Sequence, residues 1–306
     1  MEFKFGRIKY LNKSYKGDKE KCMNFLILGA TGMAGHTIAI YLKEQGHKVT
    51  ALSRKPFPYC KNIIGDVTDL KFLADVINEN NYDIVINCIG ILNQDAEQNK
   101  HNAVLVNSYL PHYLSHITQN SSTRIIHMST DCVFSGKTGN YNESSVRDGE
   151  TFYDRSKALG ELENEKDLTF RNSIIGPDMN EKGIGLFNWF MKQDGEIGGY
   201  TKAIWTGVTT LTLAKAMERA AVNKLTGLYN LVNNDSITKY EMLKFFNQYC
   251  RENTLIINKN QTVALDKSLI NNRTDFDFDV PSYEEMIREM KEWIDNHQEL
   301  YPHYFK

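Results

Sequence analysis

The stretch Met23 to Gly35, MNFLILGATGMAG, constrains this chain more than any other. Residues 24–28 are a short apolar run of the kind that forms a buried strand. Gly29, Gly32 and Gly35 follow at three-residue spacing. Met33, Ala34, Ile38, Ala39 and Leu42 then recur as one face of a helix. A strand, a glycine turn and a helix together present the helix's first N–H groups to a phosphate. In that reading Gly29 permits the tight turn, Gly32 lets the backbone approach a pyrophosphate, and Gly35 lets the helix pack close to the strand. Thr31 and Met33 lie in the same turn and join the glycines as candidate cofactor contacts. The spacing is G-x-x-G-x-x-G, with the middle glycine one place later than in G-x-G-x-x-G. A glycine-rich turn without a ligand is the competing reading, and the flanking strand and helix argue against it.

Downstream the chain alternates strands and helices. Residues 47–52, 61–64, 83–87 and 124–128 read as strands two to five. Residues 69–80 form a helix capped by Asp69, and 102–118 are largely helical, with Pro111 expected to kink or restart the helix. This rhythm predicts an α/β fold, a Rossmann-type doubly wound parallel sheet. Ligands in such sheets bind beyond the carboxyl ends of the strands. Ser53 and Arg54, Asp66 and Val67, Cys88, Ile89 and Gly90, and Ser129 and Thr130 all fall at or just past strand ends. After the second strand a dinucleotide fold for NAD places an acidic residue on the ribose 2′-hydroxyl. Here Ser53, Arg54 and Lys55 stand instead, which suits a 2′-phosphate and favours NADPH while leaving NADH open. A solvated basic loop is the alternative. Asp66 and Val67 are placed to bracket an adenine ring, and Cys88-Ile89-Gly90 is small enough for a cofactor to pass.

Tyr153 and Lys157 are four apart at the start of an expected helix, so their side chains share a face. Two other Y-x-x-x-K pairs occur, Tyr15/Lys19 and Tyr240/Lys244, so the spacing alone carries little. Tyr153 is set apart by its place after the fifth strand and its Ser129-Thr130-Asp131 turn. A phenol can protonate a carbonyl oxygen as hydride reaches the carbon. A free tyrosine titrates near 10, and a neighbouring ammonium and a cationic nicotinamide are expected to lower that value. Lys157 can also hold the nicotinamide ribose, and Thr130 can orient the carbonyl. An exposed tyrosine at a helix start is the plainer reading.

GATGMAG, then HMSTDCVFSG (127–136), then Gly139-Asn140-Tyr141 with Glu143, then YDRSKALGE together resemble an extended short-chain dehydrogenase/reductase. Within that superfamily the chain is similar to the dTDP-4-dehydrorhamnose reductase group, which reduces 4-keto-6-deoxy nucleotide sugars. The likeness runs from Met23 to the end and loosens after Gly176. It implies Thr130, Tyr153 and Lys157 as the catalytic set. It implies Asn107, the asparagine of a V-N motif, near the cofactor, holding a water or the active-site backbone. Asp131, Arg171, Asn188 and Trp205 are the substrate-binding candidates that follow from it. Arg171 begins R-N-S-I-I-G, which resembles the family's R-x-S-x-x-x-G. Asn188 lies in the region that meets the sugar nucleotide, and Trp205 is placed either to stack on a sugar or base or to fill the core. Cys132 stands where the family usually has tyrosine, and Phe152-Tyr153-Asp154 replaces V-Y-G.

The expected organisation is a Rossmann domain at 23–175, rejoined by 206–232, and a smaller, mostly helical substrate lobe at 176–205 and 233–306. Lys267 or Arg273 in the latter is placed to meet a diphosphate, or else to be solvated. Residues 1–22 carry seven cations and no apolar run, so a disordered extension is expected there. The 36 basic and 38 acidic residues leave a net charge of −2, which gives no bulk attraction to nucleic acid. Five scattered cysteines with no C-x-x-C fit reduced thiols in a cytoplasmic protein. No run reaches the ~18 apolar residues of a membrane span. No spacing suggests a metal site, and a homodimer is left open. A nucleotide-sugar epimerase or dehydratase on the same fold, and a non-catalytic NADP-binding subunit, are the competing functions.

Overall fold

The computed structural model describes residues 22–305; the extension expected at 1–22 lies, apart from Cys22, outside the described residues. Its first half runs β1 (Asn24–Leu28), α1 (Met33–Glu44), β2 (Lys48–Ser53), β3 (Lys61–Ile64), α2 (Leu70–Asn78), β4 (Ile84–Asn87), α3 (Asn93–Gln98), α4 (Lys100–Ala103), a π-helical stretch Val104–Tyr109, α5 (Leu110–Thr118) and β5 (Arg124–Ser129). Then follow α6 (Phe152–Leu159), β6 (Leu168–Arg171), β7 (Ser173–Ile175), α7 (Leu186–Phe190), β8 (Glu196–Trp205), β9 (Gly207–Thr209), α8 (Thr210–Asn223), β10 (Gly227–Asn230), β11 (Ile237–Thr238), α9 (Lys239–Cys250), β12 (Ile256–Asp266) and α10 (Tyr283–Asn296).

Seven strands form one parallel sheet in the order β10-β6-β5-β4-β1-β2-β3. This is the Rossmann-type arrangement expected from the sequence. The chain order reverses between β1 and β4, and that switch point opens a crevice at the strands' carboxyl ends. Near-continuous apolar runs such as Phe25–Leu28 and Ile84–Ile86 are fully buried because helices cover both faces. Asp69 caps α2 by accepting the Phe72 N–H at 3.0 Å.

The helix restarts at Pro111, as expected: a π-helical stretch precedes the proline, the Leu110 N–H bonds the Leu105 carbonyl five residues back, and α5 begins at Leu110. Pro111 then sits in the first turn of α5, the helical position where proline is best tolerated.

The second half is less helical than the sequence suggests. β8 and β12 are long strands that pair in parallel, with β11 antiparallel on the other side of β8. Its core is not separate either. Trp205, Met242, Phe246 and Trp293 belong to the same apolar cluster as Phe25 and Ile27 of β1. α8 lies against α1, where Thr37 Oγ1 bonds Thr210 Oγ1 at 3.2 Å and Tyr41 donates to Glu218 at 2.7 Å. No helix among the described residues is long and apolar enough to cross a membrane.

Candidate active site

The glycine turn is built by backbone demands. Gly29 has φ of +83° and donates to Leu52 O at 3.1 Å. A Cβ on Gly35 would lie 2.2 Å from the Gly29 carbonyl oxygen, so only glycine lets α1 approach that closely. Gly32 has no such internal reason. A Cβ there would meet only Gly29 O, at 3.4 Å, and the residue is exposed. It is the N-cap of α1 and supplies no capping side chain. Bare helix N–H groups behind an open glycine suit a pyrophosphate, and Thr31 and Met33 flank that opening. Cys88, Ile89 and Gly90 border it from β4, and a Cβ on Gly29 would lie 2.8 Å from the Ile89 side chain.

At the next edge Arg54 is exposed, whereas the Ser53 hydroxyl is spent inside its turn, donating to Lys55 O at 2.7 Å and accepting from Asn62 at 3.1 Å. Asp66 accepts the Thr68 N–H and hydroxyl at 2.9 and 2.8 Å. These bonds, with Arg54 as a further contributor, hold its carboxyl below the usual range. Arg54 therefore has an acidic neighbour in space that the sequence order conceals. Val67 is buried in the core beside α2.

Thr130, Tyr153 and Lys157 meet past the end of β5. Thr151 and Asp154 form a reciprocal capping box that fixes the start of α6, two residues before the phenol and one after it. This accounts for aspartate at the position where the resemblance leads one to expect glycine. The Tyr153 phenol lies close enough to the Thr130 hydroxyl for that hydroxyl to favour its ionised form. Thr130 also donates to Asp131 at 3.1 Å and accepts the Cys132 N–H at 3.1 Å. Lys157 Nζ donates to Met128 O at 2.6 Å and lies 3.3 Å from His127 Nε2. Tyr153, Lys157 and Thr130 are 8%, 4% and 9% exposed.

Burial dominates the electrostatics of this group. It pushes the Tyr153 phenol well above its ordinary value, with Cys132 and Asp131 adding to the rise and the Thr130 hydroxyl opposing it. The sequence argument expected a lowered value; in the chain by itself desolvation wins. Burial also lowers Lys157 to about 8, against the pull of Glu161 and Cys88. Asp131 is raised by burial, and bonding to Thr130 and the charges of Lys267 and Lys239 offset part of that rise. Those two lysines bring positive charge to Asp131 from the second half of the chain; Lys239 gives no sequence signal beyond its place at the start of a helix.

Several expected contacts prove structural. Arg171 is wholly buried and forms a two-pronged pair with Glu161, at 2.8 and 2.6 Å. Glu161 also takes the Ser129 hydroxyl at 2.5 Å and Arg147. Arg171 and the Ser129 side chain thus anchor the end of β5 and do not face a ligand. Asn188 is buried; it donates to the carbonyls of Asn180, Glu181 and Gly183 and accepts from Tyr304 at 2.9 Å, so it holds a loop. Trp205 packs against Tyr283 in the core, at 5.8 Å between ring centroids. Asn107 bonds Ile91 N and O, both at 2.8 Å, and Ser156 at 3.0 Å; it ties the loop after β4 to α6, away from direct cofactor contact. Arg273 is committed to Thr226 O, Leu228 O and Asp275. The sequence reading missed His127 and Glu161. The signal for His127 was a lone polar residue in the middle of the apolar strand RIIHM.

Residues 23–175 match the family model described as the RmlD substrate binding domain. A "Probable low-salt glycan biosynthesis reductase Agl14" of Haloferax volcanii is 34% identical over 143 residues, which is 45% of this chain and 48% of that protein. A "dTDP-4-keto-6-deoxy-D-glucose reductase" of Streptomyces niveus is 30% identical over 139 residues, 45% and 46% of the two chains. The match thus spans about half the length of these curated relatives. In the solved structure of dTDP-4-dehydrorhamnose reductase from Bacillus anthracis in complex with NADP, the fold agrees at TM-score 0.75 and 21% identity, over 90% of this chain and 100% of that one.

Proposed function

The chain belongs to the RmlD substrate binding domain family, and from that premise we propose that it is an NADPH-dependent reductase of a 4-keto-6-deoxy nucleotide sugar. The observation that carries this reading is the gathering of buried Thr130, Tyr153 and Lys157 at the end of β5, on the same edge of the parallel sheet as the bare N-terminus of α1 and its open Gly32. The relatives' printed activities, all reductions of sugars or steps of glycan assembly, point the same way.

In this reading the dinucleotide rests on Gly29, Thr31, Gly32, Met33 and Gly35, with Arg54 toward the 2′-phosphate. When bound, the cofactor supplies a hydride to the sugar C4. The chain does the rest. Thr130 turns its hydroxyl from Asp131 to the substrate's carbonyl oxygen. Tyr153, protonated over the working pH range because burial raises its phenol, gives its proton to that same oxygen as negative charge develops there. Lys157 holds the ribose and supports the phenolate that remains. The low exposure of all three groups keeps competing water out. Lys267 and Lys239 are the cations placed to receive the sugar nucleotide's diphosphate.

A second reading, an epimerase or dehydratase that regenerates its cofactor, draws support from Asp131, a carboxyl beside Thr130 whose burial favours its protonated form. One assay separates the two. Purified protein is mixed with NADPH or NADH and dTDP-, UDP-, GDP- or CDP-linked 4-keto-6-deoxy sugars, and nicotinamide absorbance is followed. Stoichiometric NADPH loss with a reduced sugar is expected. Conversion with no net cofactor change would favour the second reading. Binding without any turnover would leave a non-catalytic subunit.

A further inference from the structure

Lys157 reaches inward from α6 to a group that no expected mechanism uses. His127 is fully buried in the middle of β5. Its Nε2 faces Lys157 Nζ at 3.3 Å, and its Nδ1 faces Asn87 Nδ2 at 3.2 Å. The orientation of the Asn87 amide is fixed independently, because its Oδ1 accepts the Ile89 N–H at 3.1 Å. The Asn87 NH₂ therefore points at the ring and donates to it.

This arrangement sets a donor against each ring nitrogen if Lys157 is an ammonium. A neutral imidazole has one acceptor nitrogen and one N–H. A charged imidazole has none to offer, and burial with Lys157 and His112 nearby holds His127 neutral. With Asn87 donating to Nδ1, the ring proton must sit on Nε2 and point at Lys157. The amine satisfies that N–H only through its own lone pair, that is, in its neutral form. It keeps two N–H groups, one of which goes to Met128 O at 2.6 Å. No carboxylate bonds Lys157 Nζ among the described residues. From the end of β4 it is faced by the Cys88 thiol, from β5 by His127, and from beyond its own helix by Glu161, whose charge is shared among Arg171, Ser129 and Arg147.

We propose that His127 is a positioning residue for Lys157: fixed by Asn87 as the Nε2–H tautomer, it donates to the lysine amine, sets its place and favours its neutral state. The active-site lysine thereby becomes a group that titrates where the enzyme works, and its charge answers to what binds beside it. A phenolate formed at the site pulls a proton onto the amine; a neutral phenol lets it go. The functional consequence rests on the reductase reading, whereas the tautomer does not.

Two measurements test this. The first is long-range ¹H–¹⁵N correlation on the wild-type protein labelled at histidine, with His127→Gln used to assign the signal. The expected pattern between pH 6 and 9 is a protonated Nε2 and a bare Nδ1. A bare Nε2, or a ring protonated at both nitrogens, overturns the proposal. The second is Asn87→Asp. A carboxylate there accepts Nδ1–H, turns the Nε2 lone pair toward Lys157 and stabilises the ammonium. The midpoint of the pH dependence of NADPH binding is then expected to move alkaline by about one unit or more; an unmoved midpoint in folded variant overturns the proposal. Should Asn87→Asp fail to fold, the wild-type spectrum decides. Absence of turnover with every keto sugar would sink the reductase reading and leave both of these measurements intact.

Discussion

Tyr153 and Arg171 are both buried, yet they are expected to fail differently when replaced. Tyr153→Phe removes the proton that the proposed reaction delivers and leaves the shape of the site. Turnover should fall by about 10²–10⁴-fold, the usual scale of general acid catalysis, with NADPH affinity nearly unchanged in a fluorescence titration. Undiminished turnover would take the phenol out of the chemistry. Arg171→Met breaks a buried ion pair from one side, and about 3–5 kcal/mol of stability should be lost in denaturant unfolding. Were Arg171 a substrate contact, the variant would instead keep its stability and show only a raised KM. Arg54→Ala addresses the open edge of the site. The NADPH-to-NADH preference should shrink, read as the ratio of kcat/KM values, and an unchanged ratio would count against the phosphate role. Arg54 is exposed, so little stability should change with it.

Among elements, the stretch from α4 to α5 and the helix α6 are locked together by a single absent side chain. A Cβ on Gly160 would lie 1.9 Å from the Asn107 carbonyl oxygen and 3.4 Å from Pro111. That carbonyl is four residues before Pro111, whose missing N–H leaves it without the usual helical donor. The π-helical turn, the proline and the glycine thus form one joint. Gly160→Ala should force α6 outward and carry Tyr153 and Lys157 with it. A loss of about 1–3 kcal/mol is expected from such overpacking, together with a fall in turnover larger than the stability change explains. The elements of the sheet were legible in the sequence because buried parallel strands such as Phe25–Leu28 are unbroken apolar runs, and the glycine turn because its spacing has few structural uses. The joint was not legible: Pro111 announces a disturbance, but whether a chain breaks or widens depends on what packs against it. β8 and β12 escaped for another reason. β12 is exposed along nearly all its length, so its sequence IINKNQTVALD shows no clean alternation, and Gly198-Gly199 interrupts β8. At the site, residue types at strand ends could be read, but not which polar groups bond each other. Arg171 and Asn188 looked available because their partners, Glu161 and Tyr304, lie ten and 116 residues away.

At the scale of the whole molecule, the chain's last turns reach back to its first. His36, at the start of α1, bonds Gly32 O at 2.9 Å through Nδ1 and faces the Tyr301 hydroxyl at 2.8 Å through Nε2. Trp293 donates to that hydroxyl at 3.0 Å. Tyr304, stacked on Tyr301, accepts the Asp178 N–H and donates to Asn188, so the same tail also secures the loop at 178–188. The Gly32 bond requires a proton on Nδ1, which leaves Nε2 to accept from Tyr301. A second proton on the ring would turn that acceptor into a donor and force the Tyr301 hydroxyl to redirect its hydrogen. Burial accordingly lowers His36 to about 4, against the Gly32 bond, with His297 assisting. The unfolded chain then binds a proton that the native one refuses between pH 6.5 and about 4, so stability must fall on acidification through that window. The displacement corresponds to roughly 3 kcal/mol at most. His297, raised by its bonds to Glu44 and Trp293 O in spite of burial, acts in the opposite sense: its contribution is complete below its ordinary value and is lost at higher pH. Denaturant unfolding between pH 4 and 8 should therefore show an acid limb for the wild type that is shallower in His36→Gln, which has no proton to refuse. Because the clamp ends on Gly32 O, NADPH affinity in the wild type should weaken along the same limb. An acid limb of equal steepness in the variant would mean that other groups carry the pH response and that the joining of tail to glycine turn is indifferent to protonation.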